Sequence, residues 1–518
     1  LATTAQVTGA WILVILYMAV ILFFVIRGAL KIKNISDYAI GNIMFSPTAV
    51  ALSLAASMTS AATFVINPGF IANFGISGVI SYGLVLPIAS VISLAILTKS
   101  FRRYGQSVKA LTLAQWIGER YKSKNYALFM GFLALLLITF IVLIAVAITQ
   151  VLSKALNANA YIVLVAVVVF IFGYMMFGGA NSMVYTNTIQ AVIMVVVAVI
   201  LLTSGYEHFS AGIQGFIQKL RDIDPALTKL TNPNSPLFRD FYEIIFAQIV
   251  VGIAIVVQPH IITKSLLLKK ESDVNKFLVV AIAAELLFFF VVIAGLYARL
   301  TFPDLTANGH ALKNDTIIPS YVMHVFSDGN LSVVIGLIVV LGLLSAGIST
   351  LEGLIQSVST TITSDIIKPL TGNWLKSDRS MITLNKIVIV LIGLITIYLS
   401  WQQISRPKLS VGIFAQNGVY AYFASAFVPV IFGIYFRKMK VKIAFMGSMI
   451  AFGVHFAVYY FMPFLVSSFG ISFGLFDRYL EGPVRNPAIA CSTAVILSTC
   501  IVLITIAIDK KSSKELQP

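Results

Sequence analysis

Between Leu343 and Asp365 the chain reads LLSAGISTLEGLIQSVSTTITSD, a run too apolar to face water that still carries a row of oxygen-bearing side chains. Ser345, Ser349, Glu352, Gln356, Ser359 and Thr363 follow at spacings of 4, 3, 4, 3 and 4. A period of ~3.6 residues puts all six on one face of a helix. A second row, Ser53, Ser57, Ser60, Thr63 and Asn67, is spaced 4, 3, 3 and 4 and shares a face of an earlier segment. Two kinds of chemistry suit such rows. Hydroxyl, amide and carbonyl oxygens can ligate a hard cation, and hydroxyls also hydrogen-bond helices to one another in lipid. For the earlier row both readings stay open. Packing alone fits the later row less well, because an unpaired carboxylate such as Glu352 costs a few kcal/mol at membrane depth.

The elements that position these residues follow from composition. Of 518 residues, 59% are hydrophobic and 11% charged, and mean hydropathy is +0.95, whereas soluble domains are about 25% charged. Apolar runs of ~20 residues, each long enough to cross a bilayer core, recur along the whole chain. Their length and continuity predict helices, not the ~10-residue alternation of a barrel. Thirteen spans are expected, near 8–27, 45–73, 77–98, 127–154, 160–177, 184–204, 240–263, 275–301, 331–364, 381–401, 411–435, 441–465 and 487–508. The first, followed by Arg27, Lys31 and Lys33 and by no small-residue cleavage site, reads as a true span and not a cleaved signal.

The net charge of +16 raises the question of a nucleic-acid partner, but its placement answers otherwise. Lys99, Arg102, Arg103, Lys109, Arg120, Lys122 and Lys124 fall on one side, with Lys264, Lys269, Lys270, Lys276, Lys368, Lys376, Arg379, Lys386, Arg437, Lys438, Lys440, Lys442, Lys510, Lys511 and Lys514. The positive-inside rule makes that side cytoplasmic, with the N-terminus outside and the C-terminus inside. These are topology charges. The segment LTLAQWIGERY, 111–121, has an amphipathic pattern and is expected along the interface. Cys491 and Cys500, nine residues apart on one helix, are separated by about 13 Å of rise, too far for a disulfide. No His/Cys group has metal-ligand spacing, and no His/Asp/Glu cluster gathers at one interface as an enzyme of acyl or glycosyl transfer would need.

Two spans carry breakers. The second contains Asn67-Pro68-Gly69 and the seventh contains Gln258-Pro259-His260. Proline frees a backbone carbonyl, and in lipid that carbonyl needs a partner or a cavity. The second span opens one group of five and the seventh opens the next, which enters from the opposite membrane face because five is odd. Interrupted helices at matching places of two inverted groups point to the binding site of a secondary transporter.

At these residues the chain resembles the sodium:solute symporter family, which has the inverted-repeat fold of the bacterial leucine transporter. LSLAASMTSAATFVINPG resembles the family's first core helix, LTLAQWIGERY its following segment, GGANSMVYTNTIQA (178–191) its GG…WTD-x-x-Q element, and SAGISTLEG its eighth core helix. QPHIITK is most similar to the proline, pantothenate and acetate permease branch. The resemblance implies an all-α integral membrane protein of about thirteen transmembrane helices in a 5+5 inverted repeat, with extra helices at both ends. It divides the chain into an N-terminal helix (1–40), a first repeat (41–210), an extracellular loop (211–240), a second repeat (241–440, with an outer loop near 302–330), and two C-terminal helices with a cytoplasmic tail (441–518).

The same resemblance implies sodium-coupled import of a small polar solute by alternating access, with sodium and the lipid bilayer as partners and a monomer as the working unit in the cell membrane. Sodium is expected at the carbonyls of Ala56, Thr59 and Ala346 and the hydroxyls of Ser349 and Thr350. The solute is expected at Ser60, Thr63, Tyr82, Gln258 and His260. ITFIVLIAVAITQ has no counterpart of the sialic-acid member's arginine, and the sugar-gripping set of the galactose member is missing. The carboxylate-bearing solute of a monocarboxylate or amino-acid type is therefore preferred. The WTD aspartate is replaced by Asn187, and Glu352 takes a serine position one turn along the eighth core helix. A second cation between Glu352 and Asn187 is one reading; a protonated, silent Glu352 and a structural pairing with a basic or hydroxyl neighbour are the others. Glu285 is a deep acid with no role assigned by the sequence. Rival readings are a proton-coupled or uncoupled transporter on this fold, or a sugar or nucleoside symporter.

Overall fold

Lipid offers no water to bond the backbone, so a chain this apolar must satisfy its peptide groups within helices. The computed structural model describes residues 2–40, 45–108, 110–262, 264, 268, 270–371, 377–436 and 439–515, and these are helical almost throughout. Lys109, Lys269, Lys376, Arg437 and Lys438, read above as inner-side charges, lie outside the described residues. A two-residue antiparallel hairpin pairs Thr306 with Ala311 and Ala307 with His310.

The main helices are α1 (Thr4–Ala29), α2 (Pro47–Met58), α3 (Asn67–Phe74), α4 (Leu86–Val108), α5 (Leu113–Tyr121), α6 (Ile138–Leu156), α7 (Ala160–Thr203), α8 (Gln248–Ile255), α9 (Pro259–Ile262), α10 (Asp273–Phe290), α11 (Asn330–Thr361), α12 (Asp378–Ser405), α13 (Val411–Tyr435), α14 (Val441–Phe456) and α15 (Pro487–Glu515). Among the described residues, ten helices are long and apolar enough to cross a membrane, or eleven when the bent pair Pro47–Met58 and Ala62–Phe74 is one span. Helix α7 is divided by a kink at Gly179, and the shorter apolar Tyr242–Ile255 leads into α9. Counting both brings the segments to the thirteen read from the sequence.

Gly179 shows why one residue type is required at that kink. Its φ of +62° suits glycine, and a Cβ there would lie 2.8 Å from the Tyr38 ring. Helix α11 is central, packing against α7, α6, α2 and α1. Helix α1 instead turns Trp11, Ile12, Ile15, Phe23 and Ile26 outward, a face suited to lipid. Its N-terminal end is fixed by Gln6, whose Nε2 donates to the carbonyls of Met323 (3.1 Å) and Phe326 (2.8 Å). Helix α5 is not a loose surface element. Its Trp116 and Ile117 are buried, and Arg120 Nε donates to Gly433 O at 2.6 Å. That bond satisfies an end carbonyl of α13.

Candidate functional site

Helix α2 starts with Ser46 accepting from Ala49 N and Pro47 in the first turn, a pairing that suits a helix start. It ends at Thr59, whose backbone is extended (φ −90°, ψ 96°), and the following Ala62–Phe74 segment is bent 52° away. Neither glycine nor proline stands at this break. Side chains from other helices take its end carbonyls instead. Ser349 Oγ donates to Ala56 O at 2.7 Å and Thr350 Oγ1 donates to Ser57 O at 3.1 Å. The same two hydroxyls lie 3.2 and 3.3 Å from Ala346 O. Thr59 Oγ1 donates to Glu285 Oε2 at 2.8 Å, which gives the deep acid of α10 a place in the break.

Three carbonyls and two hydroxyls therefore converge at the C-terminal end of α2, where the helix dipole favours a cation. Every one of these residues is buried. Ala56, Ala346, Ser349 and Thr350 come together here, and Ser57 joins them. Thr59 sits at the point where the chain leaves the helix, and what the structure fixes there is its side chain on Glu285.

One turn along α11 lies a second cluster. Glu352 accepts from Tyr174 OH at 2.5 Å and from Thr186 Oγ1 at 2.8 Å, both from α7. The Asn187 amide is oriented with its oxygen toward Lys264 Nζ (3.2 Å) and Ser57 Oγ (2.9 Å) and its nitrogen toward Glu352 Oε2 and Gln190 Oε1 (both 2.9 Å). The reverse orientation would set the amide nitrogen against the ammonium. Lys264 Nζ also donates to Ser53 Oγ at 2.7 Å. Lys264, read above as an inner-loop charge, is instead 5% exposed and inside the bundle. The reason is that its ammonium finds oxygens on α2 and α7, the acceptors a buried ammonium requires. Gln190 Nε2 donates to Tyr17 OH at 3.0 Å, and Tyr17 OH lies 3.2 Å from Ser345 Oγ, so α1 joins the same network.

Beside the α2 break is a cavity lined by Ser60, Thr63, Asn67, Gln258, Gln416 and Tyr420, with apolar walls that include Phe140, Phe289 and Phe423. The segment Ala62–Phe74 begins at this cavity, so its positive end faces it. Gln258 stands where the seventh span is interrupted between α8 and α9, and its Oε1 is buried with no hydrogen-bond partner among the described residues. Tyr82 is behind the wall: Gln416 Nε2 donates to its hydroxyl at 3.3 Å. His260 is not on this cavity. It lines a smaller one with Pro259, Leu111, Thr112, Gln356 and Thr360.

Broken helices that present oxygens beside a cavity at mid-bundle define a secondary transporter of the inverted-repeat kind. Residues 38–451 match the sodium:solute symporter family. The chain belongs to that family; it is a multi-pass membrane transporter that couples a small solute to sodium, and it is not an enzyme. It is similar to the sodium/pantothenate symporter of Escherichia coli (strain K12), 24% identical over 438 residues covering 82% of this chain and 84% of the relative. The high-affinity proline transporter PutP of Bacillus subtilis (strain 168) is 21% identical over 429 residues, 81% of this chain and 85% of the relative. Among solved structures, a substrate-bound outward-open Na+-coupled sialic acid symporter superposes with a TM-score of 0.74 at 14% identity, over 96% of this chain and 98% of that one. MhsT in complex with L-phenylalanine gives 0.54 at 14% identity, over 89% and 98%. At these identities the structural likeness establishes the fold alone.

Proposed function

We propose that this protein imports a small carboxylate-bearing solute together with sodium, with the ion held by the carbonyls of Ala56, Thr59 and Ala346 and the hydroxyls of Ser349 and Thr350. The observation that carries the reading is the convergence of Ser349 and Thr350 on the end carbonyls of α2. Sodium is a hard cation and suits an all-oxygen set. No formal charge stands among these ligands, so the ion can leave as readily as it enters. The solute occupies the adjacent cavity. The hydroxyls of Ser60 and Thr63 and the positive helix end at Ala62 suit its carboxylate, and the unpartnered Gln258 Oε1 accepts from an N–H or O–H of the solute. Pantothenate and proline, the solutes of the relatives, each carry a carboxylate and such a donor.

In this reading 41–210 and 241–440 are the two inverted repeats, 1–40 and 441–518 are additions, and the N-terminus lies outside the cell membrane with the C-terminus inside. A monomer suffices as the working unit. Uptake of labelled pantothenate and proline into proteoliposomes, with a sodium gradient against a choline gradient, tests the proposal. Sodium-dependent accumulation of either is the expected result. Accumulation of a carboxylate solute that is indifferent to replacing sodium by choline would refute it.

A further inference from the structure

The cluster around Glu352 has the make-up of a cation site, and the cation in it is the chain's own. We propose that the Lys264 ammonium is the resident cation of the Ser53–Asn187–Glu352 cluster, so that the protein binds one sodium ion, at Ser349 and Thr350, and not a second at Glu352. The statement about a single ion rests on the sodium reading above; the statement about Lys264 stands on its own geometry.

Three observations carry it. Lys264 is buried, and the oxygens around its ammonium are Ser53 Oγ at 2.7 Å, Ser53 O at 3.4 Å and Asn187 Oδ1 at 3.2 Å. A buried ammonium is retained where its protons meet acceptors and a counter-charge is near, and Glu352 is reached through the Asn187 amide, 2.9 Å away on the amide's other side. Charge balance is the second. One ammonium and one carboxylate sum to zero, and adding a metal ion would leave a net positive charge inside the bundle. The third is the donor set itself. Without the lysine, the Ser53, Ser57, Asn187 and Glu352 oxygens are hard ligands of the kind sodium takes, and they come from α2, α7 and α11. An ammonium about 5 Å from such an ion weakens its binding by roughly two orders of magnitude at the effective dielectric of protein sites. Asn187 is a neutral link suited to this arrangement, because its two ends accept from the ammonium and donate to the carboxylate at once.

The inference also explains the position of the lysine in the chain. It follows the second broken helix, α9, and bonds to the first, α2. Sodium at the end of α2 thus ties the first interrupted element to α11, and the ammonium ties the residue after α9 to α2 and α7 by separate contacts.

The test is the number of sodium ions bound per chain, measured with radioactive 22Na+ on the purified full-length protein in detergent. Wild type is expected to bind one. Lys264→Ala is expected to bind one more than wild type, and Lys264→Ala combined with Glu352→Gln is expected to lose that additional ion. Lys264→Arg, which keeps a positive charge, is expected to match wild type. The difference between Lys264→Ala and wild type decides the role of Lys264, whereas the wild-type count and its loss in Ser349→Ala decide the sodium site of the preceding section. An unchanged count in Lys264→Ala overturns the inference. So does a wild-type count of two, which requires no variant to fold.

Discussion

One helical turn of α11 separates two polar clusters of different make-up. At Ser349 and Thr350 every oxygen is neutral, and three of the five belong to the backbone. At Glu352 a carboxylate and an ammonium are joined by an amide and enclosed by the hydroxyls of Tyr174, Thr186, Ser53 and Ser57. The first is joined by neutral hydroxyl-to-carbonyl hydrogen bonds; the second is internally neutral and closed. A site that must load and empty in each cycle gains from weak, replaceable hydrogen bonds of about 1 kcal/mol. A fixed tether gains from charges that cannot leave.

That contrast can be broken experimentally, and the largest effect is expected at the neutral cluster. Ser349→Ala combined with Thr350→Ala removes both hydroxyl ligands; sodium-driven uptake is expected to be abolished, with any remainder insensitive to sodium. Uptake that keeps its sodium half-saturation would show that the ion sits elsewhere. At the charged cluster, Glu352→Ala leaves the ammonium uncompensated and should lower stability by about 3–5 kcal/mol, read from denaturant or thermal unfolding in detergent. The pair Glu352→Gln with Lys264→Met should cost clearly less than Glu352→Ala, and equal or greater loss in the double variant would dissolve the pairing. Tyr174→Phe removes one hydrogen bond to a carboxylate, roughly 1.5–3 kcal/mol, and should lower the melting temperature while leaving sodium half-saturation unmoved. The smallest effects belong to the cavity. Ser60→Ala and Thr63→Ala should each raise the solute KM at saturating sodium by about fivefold, near 1 kcal/mol, and a solute whose KM ignores both contacts neither hydroxyl.

The number of ions also sets what the transporter can achieve. One sodium moving inward gains ~2.3 kcal/mol per 100 mV, and a tenfold gradient adds roughly 1.4 kcal/mol. Together these concentrate a solute of no net charge, such as a zwitterionic amino acid, several hundredfold, whereas for a monoanion the electrical part cancels and about tenfold remains; a second ion would roughly square the first figure. Lys264, by holding the second position, limits the ratio to the lower value.

The spans and the polar face of α11 were legible because both are periodic patterns within one segment. The five members of that face on α11 and Thr363 just past it each meet a partner, from Tyr17 at Ser345 to Asn385 at Thr363. What the pattern could not give was which distant residue each one meets. Tyr174 and Thr186 are separated from Glu352 by more than a hundred and sixty positions, and nothing in their own neighbourhoods marks them. The first break was also misplaced by local signals. Pro68 draws attention to 67–69, yet it sits in the first turn of α3, where a missing N–H is tolerated, and the helix parts at Thr59 through contacts made in three dimensions. Lys264 was lost in a count of loop charges, because a charge total carries no depth. Its one local sign was the position five residues beyond Pro259 and ahead of the apolar Leu266-Leu267-Leu268.

Helix α11 runs without interruption from Asn330 to Thr361, a length of about 48 Å at 1.5 Å per residue. Just past it, Asp365 accepts from Thr112 Oγ1 at 2.5 Å, on the residue that caps α5. The helix is thus a beam held at its middle, where Tyr17 meets Ser345, and just past its end, where Thr112 meets Asp365. The joints of the bundle are therefore where two neighbouring rods are already cut, at Thr59 and at Gln258.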